Sequence, residues 1–166
     1  MALFVSTTLN KLDAKFRVSV PADFRKSLEG DSFKGVVAWP NVPEKMIEAC
    51  DSGRVERIAA SLDDREQYPE DDSLRLDLAR VSLASSQRLN FDVNGRIMVP
   101  PEFREHAGIG EEVLFVGVGL TFQMWDPERY RLWQSSRLQA GKEQGIRLQM
   151  RPLPSRVDGG SGKGGA

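Results

Sequence analysis

A fourteen-residue segment occurs twice in this chain. Residues 12–25 read LDAKFRVSVPADFR, and residues 91–104 read FDVNGRIMVPPEFR. At a constant offset of 79 residues, Asp13 matches Asp92, Arg17 matches Arg96, Val18 matches Ile97 and Val20 matches Val99. Pro21 with Pro100, Phe24 with Phe103 and Arg25 with Arg104 extend the match without a gap. Agreement at half of the positions is hard to reach by chance, and a repeat constrains architecture before any motif is weighed. Two copies are too few for a solenoid. The expectation is a pseudo-symmetric pair of small units.

Within each copy the pattern predicts strand, turn, strand and short helix. Residues 3–9 and 16–20 are expected as strands around a turn at 10–15, and 88–93 and 96–99 as strands around Asn94-Gly95, a strong hairpin signal. Val18 and Val20, like Ile97 and Val99, alternate with residues that can face outward. Pro21 and Pro100 or Pro101 can open helices, Asp23 and Glu102 suit the first turn, and Gly30 and Gly108 are plausible stops. Apolar runs ending at Trp39 and Trp125 follow. The second is long enough for two strands turning near Gly117–Gly119, so the first unit is expected to be abbreviated, leading into a helix over 43–51. A helix is also expected from Pro127, capped by Asp126. Between the units, Val55, Ile58, Ala59 and Leu62 mark one helix. Leu74, Leu78 and Val81 mark another, after a polar break at 67–72.

Composition excludes several classes. Hydrophobic residues make up 40% and charged residues 28% of the 166, as in ordinary globular proteins. The longest apolar stretch, Val113 to Leu120, is too short for a bilayer span, and MALFVSTTL does not read as a signal peptide. One cysteine excludes an internal disulfide and a cysteine-cluster metal site, so a cytoplasmic protein is expected, with no cofactor. Catalysis finds no support. The single histidine, His106, has no nucleophile signature beside it, Cys50 is expected to be buried on a short helix, and Gly117-Val118-Gly119 lacks the spacing of a dinucleotide loop. Asp63-Asp64 and Glu70-Asp71-Asp72 read as solvated caps rather than metal ligands. Net charge is −1, yet the bases are segregated. Lys11, Lys15, Arg17, Arg25 and Lys26 oppose only Asp13 and Asp23, a local excess of +3, whereas 44–77 is acid-rich.

The aspartates at 13 and 92, each four residues before an arginine, have a simple architectural role. A carboxylate can accept backbone N–H groups inside its turn while the arginine clamps it. For Arg17 and Arg96 a second role stays open, because a basic strand–turn–strand ribbon has the width of a major groove and arginine is the usual partner of guanine edges. Trp39 and Trp125 could stack on bases, but their places at matching strand ends favour core or subunit contacts.

The D-x-x-x-R turn between short strands, followed by V-P-x-x-F-R and repeated about eighty residues later, resembles the MraZ family of bacterial transcriptional regulators, tandem members of the AbrB-like swapped-hairpin superfamily. The resemblance runs from Leu3 to about Gln139 and includes the linker ending LASS. It implies a mainly β fold with α elements, in which two units interleave as a pseudo-symmetric double swapped-hairpin barrel with flanking helices. On this chain the units would be 3–51 and 87–139, the latter with a C-terminal helix, joined by a helical linker over 52–86 and followed by a flexible tail over 151–166. The resemblance also implies a homo-oligomeric ring, commonly of eight or more subunits. Such a ring would bind short direct repeats of double-stranded promoter DNA, and would usually repress the division and cell-wall gene cluster from a nucleoid-associated location. Carried over position by position, Arg17 and Arg96 would approach DNA with Lys15 and Asn94 beside them. Asp13 and Asp92 would orient the turns, and Arg25 and Arg104 would be weaker candidates.

Two departures from the family pattern shape these expectations. The family usually has glycine before the motif arginine; Gly95 keeps it, but Phe16 does not. A bulky residue there is not expected to take positive φ easily, so the first turn should be built differently or be relieved of strain. The second motif from Arg88 to His106 is neutral by charge, so the first should contribute more DNA affinity. The alternative is a ring-forming protein-interaction scaffold that binds no specific DNA, to which Phe16 lends support. A single-unit antitoxin-like relative fits poorly, because this chain carries two units.

Overall fold

Val18, Val20, Ile97 and Val99 are all essentially inaccessible, while the residues between them face outward. That alternation sets the strands on which the computed structural model, describing residues 1–64 and 72–145, is organised. The chain runs β1 (Thr7–Lys11), β2 (Arg17–Ser19), α1 (Ala22–Ser27), β3 (Gly35–Asn41), β4 (Met46–Cys50) and α2 (Ser52–Leu62). It continues with α3 (Asp72–Ala79), a π-helical turn (Arg80–Ala84), β5 (Gln87–Asn90), β6 (Arg96–Met98), α4 (Pro101–Ala107), β7 (Glu112–Gly117), β8 (Phe122–Trp125) and α5 (Pro127–Gln144).

The strands that flank each turn do not pair with each other along their length. β1 runs antiparallel to β7 of the other repeat, from Thr7 opposite Val116 to Lys11 opposite Glu112. Reciprocally, β5 pairs with β3, from Gly35 opposite Asn90 to Ala38 opposite Gln87. The six-stranded sheet has the order β1-β7-β8-β4-β3-β5, which reads the same from either end once the repeats are exchanged. A pseudo-twofold axis therefore passes between β8 and β4. It also passes through the separate ribbon β2–β6, where Val18 lies opposite Ile97, Arg17 opposite Met98 and Ser19 opposite Arg96.

Several expectations need correction. No closed barrel is present among the described residues: β1 and β5 are the ends of an open sheet, and β2–β6 stands apart from it. The fold is mixed α+β rather than mainly β, with more residues in helices than in strands. The expected helix over 43–51 is instead β4, entered through a turn in which Lys45 takes φ +52°. β4 is central, held between β3 and β8 and buried on both faces, so it lacks the alternation that marks a half-exposed strand. The first unit is thus not abbreviated, since β3–β4 matches β7–β8.

The short helices begin as expected. Pro21 caps α1, Pro100 caps α4, and Pro101 takes the first helical position. Gly108 closes α4 in the left-handed conformation, whereas α1 ends at Leu28, before Gly30. Phe24 and Phe103, one from each helix, are buried against the sheet. Phe24 meets Phe4 at 5.4 Å and Phe122 at 5.1 Å between ring centroids. On the opposite side α5, capped by the Asp126 carboxylate, places Tyr130 and Trp133 on Trp125, with centroids at 5.5 Å in each case. Trp39 and Trp125 are both buried. α2 is capped by Asp51, which accepts from the Arg54 N–H at 2.8 Å. Ile58, Leu62 and Leu78 line one groove between the linker helices, but Leu78 and Val81 stay 38% and 48% exposed, so this stripe is not closed among the described residues. Most of the 67–72 break and the whole 151–166 tail lie outside the described residues.

Truncating a buried ring removes its transfer energy and leaves a cavity. Phe24→Ala should lower stability by about 3–5 kcal/mol in chemical denaturation, whereas V93S, at a fully exposed site, should change it by no more than ~0.5 kcal/mol.

Candidate nucleic-acid interface

Each repeated motif opens with the same turn, built on a carboxylate. In the first, the Asp13 N–H donates to the Arg17 carbonyl at 2.9 Å, and the Phe16 N–H donates to the Asp13 carbonyl at 3.0 Å. The N–H groups of Lys15 and Arg17 both donate to Asp13 Oδ1 at 2.9 Å, and Arg17 Nε donates to Oδ2 at 2.8 Å. In the second, Asp92 N–H and Gly95 N–H make the equivalent backbone bonds at 2.9 and 3.0 Å. Asn94 and Arg96 N–H groups donate to Asp92 Oδ1 at 2.9 and 3.0 Å, and Arg96 Nε donates to Oδ2 at 2.8 Å. Both are three-residue hairpin loops that end in a left-handed residue, Phe16 at φ +59° and Gly95 at φ +73°. Asn94 takes no positive φ, so this is not the two-residue turn that Asn-Gly suggests.

Phe16 therefore adopts the conformation that its side chain disfavours. Left-handed backbone costs a non-glycine residue roughly 1–2 kcal/mol. The Arg104 guanidinium lies over the Phe16 ring, 3.5 Å from its centroid. A cation–π contact contributes about 0.5–2 kcal/mol, enough to offset that strain. Of the two outcomes expected for Phe16, a differently built turn or relieved strain, the second holds, and its source lies in the other repeat. At the second turn Arg25 occupies the matching place, so that a Cβ on Gly95 would fall 2.5 Å from Arg25 Nη1. Among the described residues neither arginine pairs with an acid. Arg25 Nε donates to the Val20 carbonyl at 3.1 Å, and Arg104 Nε donates to the Val99 carbonyl at 3.2 Å.

The two turns meet. Arg96 Nη1 reaches Asp13 Oδ2 at 3.4 Å, so one carboxylate holds an arginine from each repeat. The outward face of the β2–β6 ribbon then carries Arg17, Ser19, Arg96 and Met98, the last 60% exposed. Lys15 and Asn94 stand exposed at equivalent turn positions. The turns thus gather Asp13, Lys15, Arg17, Asp92, Asn94 and Arg96, while Arg25 sits behind the second turn. Ser19 and Met98 were not singled out in the sequence. They occupy one repeat position, and their outward alternation with buried Val18 and Ile97 was the available signal. Backbone N–H donation, first of all from Arg17 and Arg96 respectively, holds the Asp13 and Asp92 carboxyls below the ordinary carboxylate range.

A family model described as "MraZ protein, putative antitoxin-like" matches residues 83–145. Proteins named "Transcriptional regulator MraZ" align along most of the chain. The one from Rickettsia canadensis (strain McKiel) is 34% identical over 148 residues, covering 89% of this chain and 97% of its own length. That from Pelagibacter ubique (strain HTCC1062) is 41% identical over 128 residues, covering 77% and 81%. That from Rickettsia bellii (strain OSU 85-389) is 32% identical over 149 residues, covering 89% and 97%. The chain belongs to the MraZ family.

The MraZ relatives are named for regulation of transcription, not for a reaction. The remaining reactive groups of this MraZ-family chain have structural surroundings. Cys50 lies on β4 rather than on a helix, and burial pushes its thiol up to about 12, which leaves it protonated and inert. His106 Nε2 lies 2.7 Å from the Asn41 carbonyl oxygen. Among the described residues no cluster of His, Cys, Asp or Glu could hold a metal ion, and no helix is long and apolar enough to cross a membrane.

Because the folded protein lowers the Asp13 and Asp92 pKa values, the stabilisation by these turns is complete above the unfolded value of about 3.9. It is lost as pH falls through the lower native values. Stability followed from about pH 6 to pH 2 should therefore fall less steeply in a D13N/D92N variant than in the native chain.

Proposed function

We propose that this chain is a sequence-specific transcriptional regulator that grips double-stranded promoter DNA with its two carboxylate-built turns. The observation that carries this reading is the junction at Arg96–Asp13, which brings two equivalent basic turns onto one short ribbon. Arg17 and Arg96 are assigned to base edges or phosphates, with Lys15 and Asn94 beside them, and Asp13 and Asp92 orient the turns. Arg25 has its Nε committed to Val20, so any contact it makes is through its Nη atoms to a phosphate. Among the described residues, the Arg17 guanidinium has only its Nε bonded within the protein, whereas that of Arg96 also directs Nη1 at Asp13. Together with Lys15, this favours the first turn as the stronger contact.

The exchange of β1 and β5 between repeats supports reading 3–51 and 87–139 as two interleaved AbrB-like swapped-hairpin units, joined through 52–86. The exposed apolar residues Leu78, Val81, Leu132 and Leu138 support assembly of several copies. Family resemblance makes that assembly a ring of eight or more subunits, acting in the cytoplasm at the nucleoid. Its targets are short direct repeats ahead of the division and cell-wall gene cluster, which it represses without a cofactor. Repeated subunits would sum modest contacts, provided that the DNA repeats match their spacing.

The test is an electrophoretic shift on the protein's own upstream region, against shuffled DNA, over a salt series. Binding should prefer the promoter and weaken steeply with salt, as lysines and arginines displace counterions. Arg17→Ala should reduce affinity about tenfold or more, and by more than Arg96→Ala. Equal affinity for shuffled DNA would contradict the regulator and favour the scaffold.

A further inference from the structure

Each turn leans on a helix of the opposite repeat through a closed set of contacts. The Val99 N–H donates to the Phe16 carbonyl at 2.9 Å, and the Val99 carbonyl accepts from Arg104 Nε. Arg104 then returns to Phe16 by lying on its ring. At the second turn the Val20 N–H donates to the Gly95 carbonyl at 3.2 Å, the Val20 carbonyl accepts from Arg25 Nε, and Arg25 covers Gly95. The two circuits differ at one point. Glycine takes positive φ without penalty, so the second turn needs no help to hold its shape. Phe16 does need help, and the residue is 44% exposed, with Arg104 stacked on its ring.

We propose that Arg104 is a positioning residue for the first DNA-contact turn: from α4 of the second repeat, its guanidinium holds Phe16 in left-handed backbone and so fixes the directions of Lys15 and Arg17. The proposal rests on the reading of that turn as a DNA contact. Lys15 and Arg17 flank Phe16, and both of their N–H groups are bonded to Asp13 Oδ1. A Phe16 that relaxed to negative φ would rotate the peptide between them and pull at least one N–H off the carboxylate. The strongest cationic positions of the first repeat are thereby set by a residue of the second. Arg25 plays the same part at Gly95, where its loss should matter less.

The repeat itself supplies the discriminating variant, because F16G gives the first turn the residue type found in the second. Full-length wild type, R104A, F16G and F16G/R104A are compared for promoter binding at fixed salt and for thermal unfolding. R104A should weaken binding about tenfold, F16G should stay within about threefold of wild type, and F16G/R104A should bind like F16G. The melting temperature should drop more on R104A in the native background than in the F16G background, since only the Val99 bond is lost in the latter. A direct phosphate contact by Arg104 predicts something else: F16G/R104A as weak as R104A, with a salt slope reduced by about one. That result would overturn the proposal, as would wild-type affinity in R104A. If the wild-type protein itself does not prefer its promoter, the regulator reading fails instead. The thermal cycle then decides the proposal, and an equal loss in both backgrounds would overturn it.

Discussion

The two backbone bonds from Val99 to Phe16 and from Val20 to Gly95 tie each turn to the strand of the other repeat. β2 and β6 are three residues long and, among the described residues, pair only with each other, so neither repeat completes its own ribbon. The same dependence appears in the main sheet, where β1 and β5 each find their partner across the repeat boundary. A strand this short has too few hydrogen bonds and too little buried surface to stand alone. The repeats therefore form one cooperative body. The pairing also joins segments far apart in sequence, so its loop-closure entropy must be met before the contacts form.

Within that frame the aspartates act as templates. One carboxylate oxygen gathers two N–H groups and the other takes an arginine Nε, which fixes backbone and side chain together. An arginine held this way loses less freedom when it meets a partner, and that pre-organisation raises affinity without a new contact. In the proposed complex, committing Nε to the carboxylate would leave the Nη groups as the recognition end, apart from Arg96 Nη1, which reaches Asp13. If the turns bind DNA as proposed, the partial neutralisation by Asp13 and Asp92 makes each one a modest binder. Useful affinity then has to come from several turns acting together, a requirement that the two repeats, and the assembly proposed for them, would meet.

Much of this was legible in the sequence because the signals are local. The repeat, the Asp–Arg clamp, the proline-led helices and the outward alternation about Val18 and Ile97 depend on near neighbours. Strand exchange was not legible from the residues, since hydrophobic alternation says which face is buried and nothing about which strand lies alongside. β4 was misread because Met46 to Cys50 is buried on both faces and carries helix-tolerant residues, so tertiary pairing overrode the local pattern. At Phe16 the sequence left two outcomes open, a differently built turn or strain relieved elsewhere, for a related reason. Its strain was visible from residue type, but its relief comes from Arg104, eighty-eight positions away.

The claim on which the functional account turns is that the two turns meet DNA together, as one surface. Hydrogen–deuterium exchange of the full chain, with and without its promoter fragment, addresses this directly. Slowed exchange should appear on DNA addition in the peptides spanning 12–20 and 91–99, with α5 and the β3–β4 hairpin unchanged. Protection centred on α2, α3 or α5, or absent from both turn peptides, would contradict the account.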